Sequence, residues 1–259
     1  MDVKDIHAHN RHAWNWSVEQ ANRWTVPVSK EEIAAARRGD LRILLTPKEP
    51  LPLDWVSGLK GKDVLLLAGG GGQQSGLLAA FGARVTVADL SEGQLGKDRE
   101  IAAREGLEIR TVHTAAADLS VFADASFDAV INPCSSCFFP DLGPVWDECA
   151  RVLKRGGELM SGFINPVSYL FDREKANRGE FHMIYAQPYA DHSSMSEPDK
   201  ARFLRPEEPL EFSHTLASQI GGLIKRGFVV TGFFEDYWDS NEPINQYLPQ
   251  FINLRVILR

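Results

Sequence analysis

Disulfides and membrane spans have little support in this sequence. The 259 residues include only three cysteines, Cys134, Cys137 and Cys149. An odd and sparse count does not make a disulfide framework, so it favours a reducing compartment. No stretch approaches the roughly 18 consecutive apolar residues of a membrane span, and the N-terminus lacks the apolar run of a signal peptide. We therefore expect a cytoplasmic protein without a membrane span.

The sequence also lacks an excess of basic residues. It has 28 Lys and Arg against 35 Asp and Glu, which gives a net charge of −7. Nucleic-acid binding draws most of its affinity from neutralisation of phosphates by Lys and Arg, and no basic stripe is visible here. The charge balance therefore argues against a nucleic-acid partner and leaves a small-molecule substrate. The sequence leaves open whether the protein is a monomer or a homodimer.

The first 55 residues differ from those that follow. Residues 3–22 are predicted to form a helix, and a second helix is predicted to begin at Ser29, because Ser29 and Glu32 form a capping box. A proline-rich stretch then predicts a linker. We interpret residues 1–55 as an N-terminal helical cap or lid and residues 56–259 as the main domain.

Strand and helix alternate from residue 62 onward. The five predicted strands are DVLLLAGG, ARVTVADL, LEIRTVHT, FDAVINPC and GELMSGFINP, and DLGPVWDECARVLKRGG is the predicted helix before the fifth. This alternation predicts βαβ units and a parallel sheet. Residues 167–211 have no clean period and many aromatic side chains, which indicates an insertion after strand five. Two final apolar runs are joined by too few residues for a crossover helix, so they should pair antiparallel.

The most informative stretch is the glycine run after the first strand. Four glycines, Gly69 to Gly72, follow a buried strand and precede a helix, and Asp89 ends the second strand twenty positions after Gly69. Glycine lets a ligand approach the backbone closely, and an acid at this place would hold the ribose hydroxyls of an adenosine. The plainer interpretation is a structural turn and a solvated aspartate. An NAD site would need glycine at position 75, where Ser75 stands.

These motifs resemble a known family. VLLLAGGGG is similar to the glycine-rich first motif of class I S-adenosylmethionine-dependent methyltransferases, and VTVADLS to their second-strand motif. RVLKRGGELMSGF resembles the segment leading into strand five in the menaquinone- and ubiquinone-type (methyltransferase type 11-like) subgroup. The resemblance covers roughly residues 60–165, together with the closing helix and strand pair. It implies a Rossmann-like α/β fold with a seven-stranded, mostly parallel sheet, an antiparallel last strand and helices on both faces.

The resemblance also implies a function. It implies that S-adenosyl-L-methionine is the cofactor, that S-adenosyl-L-homocysteine is the product, and that a methyl group passes to a small molecule. The many aromatic residues of the insertion favour an apolar or aromatic acceptor. The alternative is an S-adenosylmethionine-binding protein with non-methylating chemistry or a sensing role.

The family pattern assigns cofactor roles to positions of this sequence. Asp89 would bind the ribose, Ala117 and Asp118 would read the adenine edge, and the sulfonium would lie near the end of strand four. The cofactor-binding candidates are Trp24, Ala68, Gly69, Gly70, Gly71, Gly72, Gln74, Asp89, Leu90, Gln94, Ala117, Asp118, Leu119, Asn132 and Pro133. Two positions depart from the pattern: Leu66 replaces the usual acid, and Ala68 replaces the first glycine.

Acceptor binding and catalysis have fewer sequence signals. His182 and His192 are the candidates for a general base, with a surface or capping role as the plainer interpretation. Trp14, Cys134 and Tyr189 are the candidates for acceptor binding. Cys134 and Cys137 form a C-x-x-C at a strand end, which favours packing or pocket lining over a redox or metal role. We expect no metal.

Overall fold

The computed structural model describes all 259 residues as an α/β fold. The helices are α1 Val3–Glu19, α2 Lys30–Arg37, α3 Leu53–Val56, α4 Gln74–Phe81, α5 Glu92–Glu105, α6 Gly143–Val152, α7 Arg173–Asn177, α8 Asp191–Ser194, α9 Glu197–Phe203 and α10 Gly222–Ile224. The strands are β1 Asp63–Leu67, β2 Arg84–Asp89, β3 Ile109–His113, β4 Phe127–Asn132, β5 Leu153–Ile164, β6 Tyr189–Ala190, β7 Phe212–Ser213, β8 Phe228–Asp236 and β9 Phe251–Leu258. None of these helices combines the length and apolarity needed to span a bilayer.

Seven strands form one mixed sheet in the order β3-β2-β1-β4-β5-β9-β8. The first five strands pair in parallel. β9 runs antiparallel to both of its neighbours, β5 and β8. The predicted Rossmann-like sheet with an antiparallel last strand is therefore confirmed. The short strands β6 and β7 pair separately.

The side chains of β1 explain why helices cover both faces of the sheet. Successive residues of a strand point to opposite faces. Val64 and Leu66 belong to one hydrophobic cluster, and Leu65 and Leu67 belong to another. All four side chains are fully buried, so the run is apolar throughout and not alternating.

The core extends across the domain boundary that the sequence predicts near residue 55. Ile33, Ile43, Leu45 and Leu51 are buried in the same cluster as β1. The stretch interpreted as a linker is thus packed inside the domain, and its end forms the short helix α3. The boundary itself stays a prediction.

A buried polar network ties this N-terminal stretch to the last two strands. Asp236, at the end of β8, accepts hydrogen bonds from Thr46 Oγ1 at 2.7 Å and from the backbone N–H groups of Lys48 and Glu49 at 3.2 and 3.1 Å. Asn253 of β9 donates to the same Thr46 Oγ1 at 2.7 Å. Asp236 and Asn253 have no exposed surface.

The structure confirms one predicted helix start and corrects one predicted helix end. The capping box at Ser29 forms as predicted, with Glu32 N to Ser29 Oγ at 3.2 Å and Ser29 N to Glu32 Oε2 at 2.8 Å. The helix α6 ends earlier than predicted, at Val152, because Leu153 already pairs with Phe127 of β4. The chain then passes an irregularity before the regular part of β5.

Candidate active site

A cavity of about 920 Å³ lies at the carboxyl ends of the central strands. Its walls include residues that directly follow or end β1, β2, β4 and β5, together with residues of α1 and of the insertion. In open α/β sheets, ligands bind in the crevice outside the carboxyl ends of the strands. The predicted site residues that line it are Trp14, Trp24, Ala68, Gly69, Gly70, Gln74, Asp89, Leu90, Gln94, Pro133, Cys134 and Tyr189.

The glycine loop passes so close to its neighbours that side chains are excluded. A Cβ on Gly69 would lie 2.8 Å from Leu66 Cγ and 2.9 Å from Pro133 Cγ. A Cβ on Gly70 would lie 2.7 Å from the Cβ of Gln94. The loop begins with Ala68 at φ +47°, in the left-handed region where glycine is the ordinary residue. The backbone itself therefore forms this wall of the cavity.

Asp89 holds this loop from the end of β2. Its Oδ2 accepts from Gly70 N at 3.0 Å, and its Oδ1 accepts from Ser91 N at 2.8 Å. Burial raises the pKa of this carboxyl group, and the two backbone hydrogen bonds oppose that rise. A carboxylate has about four acceptor positions. Two of them are used within the chain, so the others remain for a ligand.

A second buried aspartate, which the sequence did not point to, holds the other half of the loop. Asp98 of α5 has no exposed surface. Its carboxylate accepts from Gly71 N at 3.2 Å, from Gly72 N at 3.1 Å and from the hydroxyl of Ser75. Burial raises its pKa to about 7. Its position on an amphipathic helix gave no sign that it faces inward, because charged residues precede and follow it.

Six of the predicted cofactor residues do not line the cavity. They are Gly71, Gly72, Ala117, Asp118, Leu119 and Asn132. Asp118 is exposed, and its Oδ1 accepts from the N–H and hydroxyl of Ser120 at 3.2 and 2.6 Å. The residues that line the cavity in this segment are Ala115 and Ala116. No polar side chain distinguishes these two alanines, so no sequence signal marked them.

Asn132 acts inside the sheet. Its amide nitrogen donates to Leu67 O at 2.9 Å and to Ser135 Oγ at 2.7 Å, and its Oδ1 accepts from Ser161 at 3.2 Å. These contacts tie the ends of β1, β4 and β5 together. They fix the position of the loop that carries Pro133 and Cys134.

Neither candidate histidine lines the cavity. His182 is exposed, and its backbone carbonyl accepts from Asp172 N at 2.9 Å. His192 packs against Phe212 with ring centroids 5.8 Å apart, and burial lowers its pKa. The carboxylates that line the cavity in and beside the insertion are those of Asp172, Glu174, Asp191, Asp199, Glu211 and Glu242.

The cysteines of the C-x-x-C lie in the turn after β4 and are not bridged. Cys137 Sγ is 3.9 Å from the carbonyl oxygen of Cys134. Hydrogen bonding with Cys134 and burial raise the pKa of the Cys137 thiol, so this group does not have the lowered pKa of a reactive cysteine. No group of three or more His, Cys, Asp or Glu side chains is arranged to hold a metal ion.

The N-terminal segment contacts the turn after β4, the start of α5 and the glycine loop. Trp14 packs edge-on against Phe138 at 5.1 Å between ring centroids. Asn15 Oδ1 accepts from Ser91 Oγ at 2.7 Å and from Gly93 N at 3.0 Å, at the start of α5. Gln73, beside the glycine loop, donates to the carbonyl oxygen of Arg23 at 2.9 Å.

Comparisons with known proteins agree with this geometry. A family model described as a methyltransferase domain matches residues 65–161. An uncharacterized methyltransferase of Bacillus subtilis, YbaJ, is 48% identical over 229 residues, which cover 88% of this chain and 90% of the relative. The chain is a class I S-adenosylmethionine-dependent methyltransferase. It uses S-adenosylmethionine as its methyl donor.

More distant relatives of the methyltransferase extend the comparison. A ubiquinone biosynthesis O-methyltransferase of Aromatoleum aromaticum is 33% identical over 164 residues, or 61% of this chain and 66% of the relative. The 1,6-didemethyltoxoflavin-N1-methyltransferase of Burkholderia thailandensis, solved with its substrate and S-adenosylhomocysteine, has the same fold. That structure superposes with a TM-score of 0.60 at 15% identity, and the match covers 100% of this chain and 91% of that one.

The cavity of the methyltransferase fits an adenosine-containing donor. The loop from Ala68 to Gly70 lines the cavity, and Gly69 and Gly70 pack so closely on neighbouring side chains that neither has room for a Cβ. Asp89 keeps acceptor positions free beside it. Gln94 is 6% exposed, and its Oε1 is sealed from solvent without any hydrogen-bond partner in the chain. A buried acceptor without a partner is costly, and a ligand in the cavity could remove that cost only if the Gln94 side chain turned toward it.

Proposed function

We propose that this methyltransferase transfers the methyl group to a small apolar or aromatic molecule bound between the glycine loop and the insertion. The observation that carries the proposal is a single cavity of about 920 Å³ that reaches from Gly70 to the aromatic side chains of the insertion. Ligand pockets usually measure about 300 to 1,000 Å³. This one has room for the donor and a second small molecule.

The proposal divides the cavity into two parts. The donor part takes the ribose at Asp89 and the adenine between Leu90 and the two alanines Ala115 and Ala116. The acceptor part lies beyond Pro133, among side chains that include Phe171, Tyr185, Phe203 and Trp238. This division is supported by the residues that line the cavity: those assigned to the donor follow the ends of β1, β2 and β3, and those assigned to the acceptor include aromatic residues of the insertion.

The chain's own residues have two tasks in such a reaction. The bound donor supplies an electrophilic methyl group on a sulfonium sulfur. The cavity walls align the acceptor atom in line with the bond that breaks, and alignment accounts for a large part of the rate in such displacements. The aromatic wall excludes water, which strengthens electrostatic interactions within the site.

The test is a methyl-transfer assay with purified enzyme and a panel of small acceptors. Apolar and aromatic compounds that carry one nucleophilic atom are expected to gain the mass of one CH₂ group, whereas sugars and nucleotides of similar size are not. The exposed-site variant Asp118→Ala serves as a control that retains activity. Methylation of RNA or protein, with no product from any small compound, would contradict the proposal.

We also propose that residues 1–28 close over the donor as a lid. α1 spans the cavity: its Asn10 amide donates to Phe138 O and Leu210 O at 3.2 Å each, and its Oδ1 accepts from Leu210 N at 2.8 Å. Trp24 lines the cavity and is 36% exposed. Arg23 stacks over the Trp24 ring at 4.3 Å.

Deletion of residues 1–28 is expected to leave a folded protein with weakened donor binding. The expected loss is roughly tenfold in the affinity for S-adenosylhomocysteine, because one wall of the site is removed. Calorimetry measures the affinity, and circular dichroism shows whether the truncated protein is folded. Trp24→Ala should cause part of the loss. Trp16→Ala is the matched control, because Trp16 is 41% exposed and lies outside the cavity lining.

Two results would argue against the lid. A folded truncation with unchanged affinity would show that the segment does not cover the donor. An insoluble truncation would indicate a packing role instead, since Ile6 covers the buried side chains of Leu210 and Phe212.

A further inference from the structure

The acceptor side of the cavity contains two neighbouring carboxylates. Asp191 directly follows β6 and Glu211 directly precedes β7, so the pairing of these short strands brings them together. Asp191 N donates to Glu211 O at 3.0 Å, and Glu211 N donates to Asp191 Oδ2 at 2.8 Å. Both residues line the cavity.

Each carboxylate is oriented by a tyrosine. The Tyr169 hydroxyl donates to Glu211 Oε2 at 2.9 Å, and the Tyr189 hydroxyl donates to Asp191 Oδ1 at 2.8 Å. The two rings lie 5.5 Å apart, and Tyr185 packs 5.0 Å from Tyr189. The other oxygen of Glu211, Oε1, accepts no hydrogen bond from the chain and is not sealed from the cavity.

These carboxylates have no cationic partner within ion-pair distance. Four basic residues of the insertion pair with other acids, in the pairs Lys175–Asp172, Arg178–Glu180, Lys200–Glu197 and Arg202–Glu174. Arg173, which also lines the cavity, forms no ion pair and acts on the two carboxylates from beyond ion-pair distance. Burial raises the pKa of Glu211, and the charge of Asp191 raises it further, while Arg173 opposes the rise. A partly buried negative charge is costly unless it is paired. Aromatic faces also attract cations.

The side-chain amide oxygen of Gln250, the residue directly before β9, also has no hydrogen-bond donor. Gln250 is 2% exposed and lines the cavity. Its Nε2 donates to Asn245 Oδ1 at 3.2 Å and to Leu248 O at 3.0 Å, which fixes the orientation of the amide. Its Oε1 is sealed from solvent and has no partner. Because this oxygen is sealed, a ligand in the cavity reaches it only if the side chain turns toward the cavity.

Glu211 also lies close to the end of β4, where the donor sulfur is proposed to sit. Its charge adds to the rise in the pKa of the Cys137 thiol, which hydrogen bonding with Cys134 and burial chiefly cause. Cys134 follows Pro133 directly and lines the cavity. Glu211 thus lines the same cavity as the residues that follow β4, where the transferred methyl is expected.

We propose that the acceptor is a small amine, bound as its ammonium ion with an N–H donated to Oε1 of Glu211 among the rings of Tyr169, Tyr185 and Tyr189. This inference rests on the function proposed above and narrows its acceptor class. Glu211 takes one proton from the ammonium, which frees the nitrogen lone pair. The N–C bond then forms as the C–S bond breaks, the electron pair of that bond stays on sulfur, and the proton on Glu211 passes to solvent.

The raised pKa of Glu211 suits this role. A carboxylate is a better general base when its pKa approaches the working pH. The charged and titratable groups around it are Asp191 and Glu208, which raise the pKa, and Arg173 and Tyr169, which lower it. Amine binding should therefore strengthen with rising pH as Glu211 ionises, and weaken again as the amine loses its own charge.

The test compares two probes of equal size, 2-phenylethylamine and 2-phenylethanol, by calorimetry with the full-length protein saturated with S-adenosylhomocysteine. The amine is expected to bind at least about tenfold more tightly, as a charge-assisted hydrogen bond with cation–π contacts predicts. Glu211→Gln should abolish this preference and the rise with pH. Glu207→Gln, the same change at an exposed position outside the cavity, should leave both intact.

The outcomes distinguish a failure of the amine inference from a failure of the function proposed above. Equal binding of amine and alcohol by the wild type would overturn the amine inference and leave the apolar or aromatic acceptor standing. Binding of neither probe, with no small apolar or aromatic compound methylated, would overturn both. If Glu211→Gln does not fold, Tyr169→Phe replaces it; a folded variant that keeps the full amine preference and the pH profile would count against the inference.

Discussion

Replacement of Asp89 by alanine is expected to weaken the binding of S-adenosylmethionine and S-adenosylhomocysteine by about 30- to 1,000-fold, or about 2 to 4 kcal/mol. Two losses combine. The ribose hydroxyls lose a charged acceptor, and Gly70 N and Ser91 N lose the oxygens that hold them at 3.0 and 2.8 Å. Calorimetric titration with S-adenosylhomocysteine measures the effect.

Two further variants sharpen this test. Asp89→Glu keeps the charge and should do less harm. Asp118→Ala removes an exposed acid that the family pattern assigns to the adenine but that hydrogen-bonds only to Ser120 and lies outside the cavity lining. It should bind the donor like the wild type. If Asp89→Ala binds normally and Asp118→Ala does not, the adenosine lies in a different position.

Replacement of Asp98 by alanine is expected to damage both stability and donor binding. The N–H of Gly72 and the hydroxyl of Ser75 would lose their acceptor in a site without solvent, and the N–H of Gly71 would keep only Gln94 O at 3.2 Å. Each buried orphan costs about 1 to 3 kcal/mol, so we expect an unfolding free energy lower by about 2 to 4 kcal/mol and a donor affinity reduced more than about tenfold. Chemical denaturation and calorimetry measure the two effects. Ser75→Ala, which removes one hydrogen bond, should cost about 1 kcal/mol.

The pH dependence provides an independent check on Asp98. Burial raises its pKa from 3.8 to about 7 in the folded protein, so the folded state binds a proton more tightly than the unfolded chain. Its contribution to stability is therefore complete below about pH 4 and is lost as the pH rises to about 7. Asp98→Asn cannot titrate. The unfolding free energy of the wild type, relative to this variant, should fall by at most about 1.4 kcal/mol per pH unit over that interval.

Parallel stability curves for the wild type and Asp98→Asn between pH 4 and 8 would contradict this assignment. Asp89, whose pKa burial also raises, remains in both proteins. Its charge also raises the pKa of Asp98, so the difference between the two curves includes the coupling of the two carboxyl groups.

The residues proposed for the donor part of the cavity could be placed from the sequence, because their determinants are local. The glycine run must follow β1, and Asp89 must end β2, since strand order and spacing place them at one edge of the sheet. Asp98 could not be predicted. It sits on a helix with charged residues on both sides, and only the approach of α5 to the glycine loop turns it inward.

The residues proposed for the acceptor part could not be predicted from the sequence, for a different reason. Asp191 and Glu211 are twenty positions apart, and they meet through a pair of two-residue strands. Strands this short have no periodicity that a sequence can reveal. The histidines attracted notice as residue types that often act as bases, yet the insertion folds so that neither His182 nor His192 lines the cavity.

The hydrogen bonds among Thr46, Asp236 and Asn253 have a consequence for folding during synthesis. Thr46 leaves the ribosome long before Asp236, which lies 190 positions further on. Until β8 and β9 have been synthesised, the stretch that includes Ile43 and Leu45 lacks the hydrogen bonds of Thr46 to Asp236 and Asn253. Contacts of such high sequence separation form late and slowly. The methyltransferase therefore completes its core only after β8 and β9 have been synthesised, and a chain stalled before β8 exposes apolar surface to chaperones and proteases.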